Sequence, residues 1–261
     1  MNAIQEEAVR GDAGQPTERE VREDLAAAYR LFAHFEMDDA IYTHLSVRVP
    51  GRHDQFLINP FGVLFSEVTA SSLLKIDLNG DKVEEGEEEV NAAGFTIHSA
   101  IHAARHDAAC VMHTHTVGGV AVASLECGLQ TTSQWGLQFH NRVAYHEFEG
   151  LALDLDERGR LVASLGSKKS LILRNHGLLT VGRTVAEAFI LMFNLERACR
   201  VQLAIQSSGQ TVRPLSEAVC ERTAMQFERG GSNASQADPH AREWNAFKRR
   251  LEAADGLAYR W

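Results

Sequence analysis

Apolar residues recur along this chain with two periods, and the changes between them outline its elements. From Thr17 the period is helical: Val21, Leu25, Ala28, Phe32 and Phe35 share one face, and Glu20 completes a capping-box signature with Thr17. Such a face predicts a helix packed on a sheet. Residues 41–49, IYTHLSVRV, alternate apolar and polar as a half-buried strand does, and QFLIN at 55–59 reads as its neighbour, before a turn at Pro60 and Gly62. The acidic run EEGEEE at 84–89 reads as a solvated turn, and a second helix is expected over about 91–106. AACVMHTH at 108–115 has the look of a buried strand, after which Thr116, Gly118 and Gly119 open a short helix. Further strands are expected over 143–148 and 170–174, with Gly177 ending the latter. Thr184 and Glu187 repeat the capping pattern before a long helix that should bury Phe189, Met192, Phe193, Cys199 and Ile205. Asp238 with Pro239 at the first helical position starts a last helix carrying Trp244, Phe247 and Leu251. Residues 1–16 lack either period and are expected to form a loose arm, leaving 17–261 as one domain with a helical carboxy-terminal part.

Composition narrows the partners. A chain of 261 residues with 44% hydrophobic content can bury a sizeable core without disulfides. A formal net charge of −9 opposes nucleic acid and anionic membrane surfaces at long range, which leaves a small molecule as the expected partner. No apolar run suits a signal peptide or approaches the roughly 18 residues of a membrane helix, so a cytoplasmic location is expected. Cys110, Cys127, Cys199 and Cys220 form no Cys-x-x-Cys pair and read as ordinary thiols of a reducing compartment.

The candidate chemistry lies in the histidines. Side chains two apart on a strand share a face, so His113 and His115 would project side by side from the end of the 108–115 strand. His176 follows the apolar run SLILRN and precedes Gly177, where a sharp turn could expose its imidazole. Three imidazoles with an open fourth position form the pattern of a catalytic Zn²⁺ site, although Mn²⁺, Fe²⁺, Co²⁺ and Ni²⁺ also accept such ligands. A His-x-His pair on a wet strand face is the plain alternative, and spacing leaves both open.

The blocks THLSVRVP, FLINPFGVLFSEVTASSL, NAAGFTIHSAIHAAR, VMHTHT and LILRNHGLLTVG with TVAEAF, in this order over about 40–205, resemble the class II aldolase/adducin family, nearest by eye to the adducin head domain. The resemblance implies an α/β fold of three layers, α/β/α, with a central, largely antiparallel sheet. It also implies a homo-oligomer, tetrameric in many members, with sites near subunit contacts. In the sugar-phosphate aldolases of the family zinc is held at the positions of His113, His115 and His176. The pattern departs where those aldolases carry Ser-Ser-Glu, since this chain has Ala92, Ala93 and Gly94, and where they carry Gly-Asn it has Thr43 and His44. The usual acid/base and part of the phosphate cradle are thereby missing.

The expected function is a metal-dependent lyase, cleaving or decarboxylating a small, unphosphorylated hydroxy-carbonyl compound through a metal-stabilised enediolate. Two alternatives stand beside it: an adducin-like, non-catalytic binding or scaffold module with a vestigial metal site, and a metal-dependent epimerase or isomerase. The acid/base is open. Its candidates are His98, His146 and Glu89, with His44, His102, His140 and Glu147 behind them and Asn175 as a residue orienting the ligand turn.

Overall fold

The computed structural model describes residues 16–151, 156–233 and 238–261, so most of the expected amino-terminal arm lies outside the described residues. Helix α1 (Glu18–His34) starts where the pattern places it. The Thr17 side chain accepts from the Glu20 N–H, and the Glu20 carboxylate accepts in return from the Thr17 N–H at 2.8 Å. In chain order there follow β1 (His44–Arg48), β2 (Gln55–Ile58), β3 (Leu74–Asp77), α2 (Ala92–Ala104), β4 (Cys110–Thr114), α3 (Val117–Ala123), α4 (Gln134–Gln138), β5 (Val143–His146), α5 (Glu157–Leu165), β6 (Ser170–Leu173), β7 (Gly177–Gly182), α6 (Val185–Ser207), α7 (Glu217–Glu228) and α8 (Ala241–Asp255).

The strands form one sheet in the order β3-β2-β1-β4-β7-β6-β5, antiparallel at every pairing except β5 with β6. Alternation along the strands sorts the core into two sides. Leu45 and Val47, Cys110 and Met112, and Ile172 and Leu178 pack towards α1 and α6. Val111, Leu171, Leu173, Leu179 and Val181 pack the other way, against Ile97 and Ile101 of α2 and Leu161 and Leu165 of α5. The result is the expected helix–sheet–helix arrangement with a largely antiparallel sheet. Each leucine fully buried in it contributes about 1.5–3 kcal/mol relative to exposure. No helix among the described residues is long and apolar enough to cross a membrane.

Several boundaries differ from the sequence reading, each for a local reason. β1 is not half-buried: all five residues are covered, and the polar set His44, Ser46 and Arg48 faces α2 instead of water. Gly177 begins β7 and does not close β6. The six residues of β7 are buried on both faces, which removes the alternation that marks a strand. At α6 the Thr184 side chain accepts from the Glu187 N–H at 3.1 Å, but the Glu187 carboxylate turns to Lys169 and the Arg183 N–H, leaving the second arm of the capping box unmade. Phe193 and Ile205 of this helix are only half-buried. α8 starts at Ala241, because Asp238 first takes the His240 N–H at 2.9 Å in a turn; Trp244 and Leu251 are then buried as expected, with Phe247 packed at the margin.

Candidate metal centre

The site begins where β4 ends. His113 is in the strand, and His115 stands just beyond its last residue, Thr114. Thr114 pairs with Leu178 at the start of β7, so the turn joining β6 to β7 arrives beside His115 with His176 in it. The reversal is made by Asn175, whose φ of 56° is left-handed, a conformation that Asn tolerates better than most residues. Gly177, expected to provide the turn, has another task. A Cβ there would lie 2.4 Å from the Thr114 carbonyl oxygen and 3.1 Å from the His115 ring, so glycine is what lets the hairpin close onto β4.

The ligand-capable nitrogens of His113, His115 and His176 all lie within 4.8 Å of one another. His113 Nδ1 is 3.0 Å from the Leu178 carbonyl oxygen, which can only accept, so the ring proton sits on Nδ1 and Nε2 carries a bare lone pair. His115 Nδ1 is 2.8 Å from the Asp39 carboxylate, with the same consequence. The two Nε2 atoms then face each other at 2.9 Å. Two lone pairs so close repel unless a proton or a metal cation lies between them, and tetrahedral Zn²⁺ with bonds of about 2.0–2.1 Å would hold its nitrogens roughly 3.3 Å apart. The donor set therefore fits a divalent metal.

Electrostatics agrees with the geometry. Burial, then the neighbouring imidazoles of His176, His115 and His44, hold His113 well below the usual histidine range. Burial, then His115 and His146, push His176 down to about 4. Neutral rings keep their lone pairs available to a metal at neutral pH. Among the described residues the cluster has three members, so a four-coordinate metal held by them would keep one position for water or substrate.

The other candidates scatter. His98 is fully buried, with Nε2 2.8 Å from His44 Nδ1, and meets His44 instead of the triad. His44 lies nearer, its ring centroid 5.2 Å from that of His113. His102 bonds Ser46 and packs on Phe56. His140 is taken by Glu217 and Thr131. His146 bonds Ser164 and Glu157, and shares a narrow cleft with Glu147, Phe148 and His176. Glu89 is exposed in the acidic loop, where its carbonyl accepts from the Phe61 N–H. Asp39 was missed, because a carboxylate in an irregular loop has no spacing that ties it to a histidine 76 positions away.

Comparison with known proteins identifies the family. Over residues 23–203 the chain matches the family model described as Class II Aldolase and Adducin N-terminal domain. A Pseudomonas aeruginosa protein provisionally named as a class 2 aldolase is 52% identical over 74% of this chain and 74% of its own length. Alpha-adducin of Rattus norvegicus is 41% identical over 93% of this chain, which spans 34% of that longer protein. The structure of L-fuculose 1-phosphate aldolase from Glaciozyma antarctica superposes with a TM-score of 0.80 at 31% identity, covering 94% of this chain and 93% of the other. The chain belongs to the class II aldolase/adducin family.

Proposed function

We propose that this protein is a divalent-metal-dependent lyase of the class II aldolase type, acting in the cytoplasm on a small, unphosphorylated hydroxy-carbonyl compound. The observation that carries the reading is the pair of Nε2 atoms of His113 and His115 aimed at one point beside His176, each with its Nδ1 proton already committed. Bound there, Zn²⁺, or Mn²⁺, Fe²⁺, Co²⁺ or Ni²⁺ in its place, would polarise a substrate carbonyl and stabilise the enediolate left by carbon–carbon cleavage. The protein's own residues do the rest. The Leu178 carbonyl and Asp39 fix the two ring orientations. His146 is the proposed proton carrier, since it lines the cleft with His176; His98 is walled off behind His44, and Glu89 stands on an exposed loop. An unphosphorylated substrate is favoured by the residue types at positions 92–94, Ala, Ala and Gly, none of which carries a side-chain donor for a phosphate.

Exposed apolar side chains adjoin the site: Tyr42 near Asp39, Val117 just after the ligand strand, and Phe148 with its ring 6.2 Å from His176. They support a homo-oligomer, a tetramer in this reading, with sites close to subunit contacts.

Elemental analysis after loading, followed by a screen of hydroxy acids and ketoses for cleavage or CO₂ release, tests the proposal. Turnover with one metal ion per chain is expected. Solvent deuterium incorporation without cleavage would indicate the epimerase alternative. A fully loaded protein inert across the panel would favour the non-catalytic, adducin-like module. His113→Ala should lose the metal, since two imidazoles seldom retain zinc on dilution; unchanged metal content in that variant would remove the triad from the argument.

A further inference from the structure

A string of four buried side chains runs from the triad into the layer between β1 and α2. His44 Nδ1 lies 2.8 Å from His98 Nε2, His98 Nδ1 lies 2.5 Å from Ser46 Oγ, and Ser46 Oγ lies 2.7 Å from His102 Nε2. His98, Ser46 and His102 are wholly buried, and His44 is 4% exposed. The cause is a meeting of two periods: His44 and Ser46 share the α2-facing side of β1, while His98 and His102 share one side of α2. Burying four polar groups is costly unless each is satisfied, and apolar residues would fill the same layer without that cost. Something other than packing therefore accounts for the string.

Its outer end indicates what. His44 has its ring centroid 5.2 Å from that of His113, and its Nε2 makes no hydrogen bond among the described residues. The ring fits only because residue 94 is glycine: a Cβ there would lie 2.7 Å from His44 Cδ2 and 3.1 Å from its Nε2. The absence of a side chain at 94 and the presence of a ring at 44 are one arrangement. We infer that His44 is a substrate-contacting residue of the metal site, offering Nε2 to a metal-chelated oxygen, and that His98, Ser46 and His102 are positioning residues that fix its ring orientation and tautomer. This rests on the metal-site reading above for the substrate contact. The positioning part stands on the hydrogen bonds alone.

The string has a direction. Each internal contact holds one proton, so the tautomer chosen at His102 propagates through Ser46 and His98 to decide whether His44 Nδ1 donates or accepts. At the inner end the His102 ring is held by Ser46 through Nε2 and is influenced by the Ala108 backbone, while its Nδ1 makes no close hydrogen bond among the described residues. Cutting the string at Ser46 or His98 should release His44 while leaving the triad intact.

Long-range ¹H–¹⁵N spectra of the full chain with ¹⁵N-labelled histidine test both parts, in metal-free and Zn²⁺-loaded protein, with zinc content measured on each sample. In the wild type His44 should show one neutral tautomer. In Ser46→Ala and in His98→Gln, which keeps a donor and an acceptor, it should shift towards averaged values with zinc stoichiometry unchanged. A His44 tautomer identical in all three would overturn the positioning role. Acetohydroxamate, a bidentate oxygen chelator resembling an enediolate, should move the His44 Nε2 resonance in the zinc form and bind roughly tenfold more weakly to His44→Phe. Hydroxamate bound with neither change would overturn the contact. Absence of zinc from the wild type would overturn the metal-site reading, and the substrate contact with it, independently of the tautomer result. Gly94→Ala should displace the ring and move the same resonances; an unmoved His44 in that variant would overturn the fit at position 94.

Discussion

Single residues decide whether the triad can hold a metal. Asp39 is not one of the three imidazoles proposed to hold the ion, yet its carboxylate sets the proton position on His115. Asp39→Asn should weaken zinc about 10–100-fold in competition with a chromophoric chelator, with the fold unchanged by circular dichroism. Gly177→Ala should cost about 1–3 kcal/mol in urea unfolding, because the nearest obstacle to a new methyl is the Thr114 carbonyl and backbone cannot step aside as a side chain can. The His-x-His pair was legible in the sequence because a strand repeats every second residue. His176 was placed by the apolar run before it, but the division of labour around it was not legible. Left-handed φ at Asn175 and steric clearance at Gly177 depend on a neighbouring strand that no local pattern announces. Asp39 left no trace for the same reason.

Elements carry the second layer of the argument. The alternation in 41–49 correctly indicated a strand, and it misled about the environment, since a polar face hidden by hydrogen-bonded histidines has the same spelling as a wet one. β7 escaped because burial on both faces erases alternation, whereas α4 and α7 do begin at serine caps, Ser133 and Ser216, but have no long apolar face behind them. The polar face has a consequence for acid stability. Burial, followed by the His102 charge, keeps His98 well below its usual range, and burial, followed by Arg48, keeps His102 at about 3. Both rings stay neutral in the folded chain while the unfolded chain protonates them below about pH 6.5, so the unfolded state binds more protons and stability is lost as the pH is lowered. Between about pH 6 and pH 4 each should remove up to about 1.4 kcal/mol per pH unit. Urea titrations of metal-free protein across this range should show a steep decline, made shallower in Ser46→Ala/His98→Leu/His102→Leu; equal slopes would show that the two rings are not protected by folding.

At the scale of the whole molecule, metal and fold are separable. The two large apolar clusters lie on either side of the sheet, whereas the triad sits at one end of β4, so core burial does not depend on the ion. Metal-free protein should keep its far-ultraviolet circular dichroism. Free zinc at 1,000 times its dissociation constant should add about 4 kcal/mol, which for a chain of this size raises the melting temperature by on the order of 10 °C. Light scattering coupled to gel filtration should give the mass of a tetramer, and charge placed at Val117 or Phe148 should split it. The layered architecture was legible from blocks of sequence in order, whereas the face proposed for contact between copies was not, because an exposed apolar side chain has no periodic signature.

The short link between β6 and β7 also limits how this scaffold can change. Within three consecutive positions one residue bends the chain, one joins the histidine cluster and one yields room to the neighbouring strand. Adding or deleting a residue would rotate the imidazole away even if all three residue types were retained. Variation in what the protein acts upon must then come from the surrounding loops, while this triplet stays fixed in spacing as well as in identity.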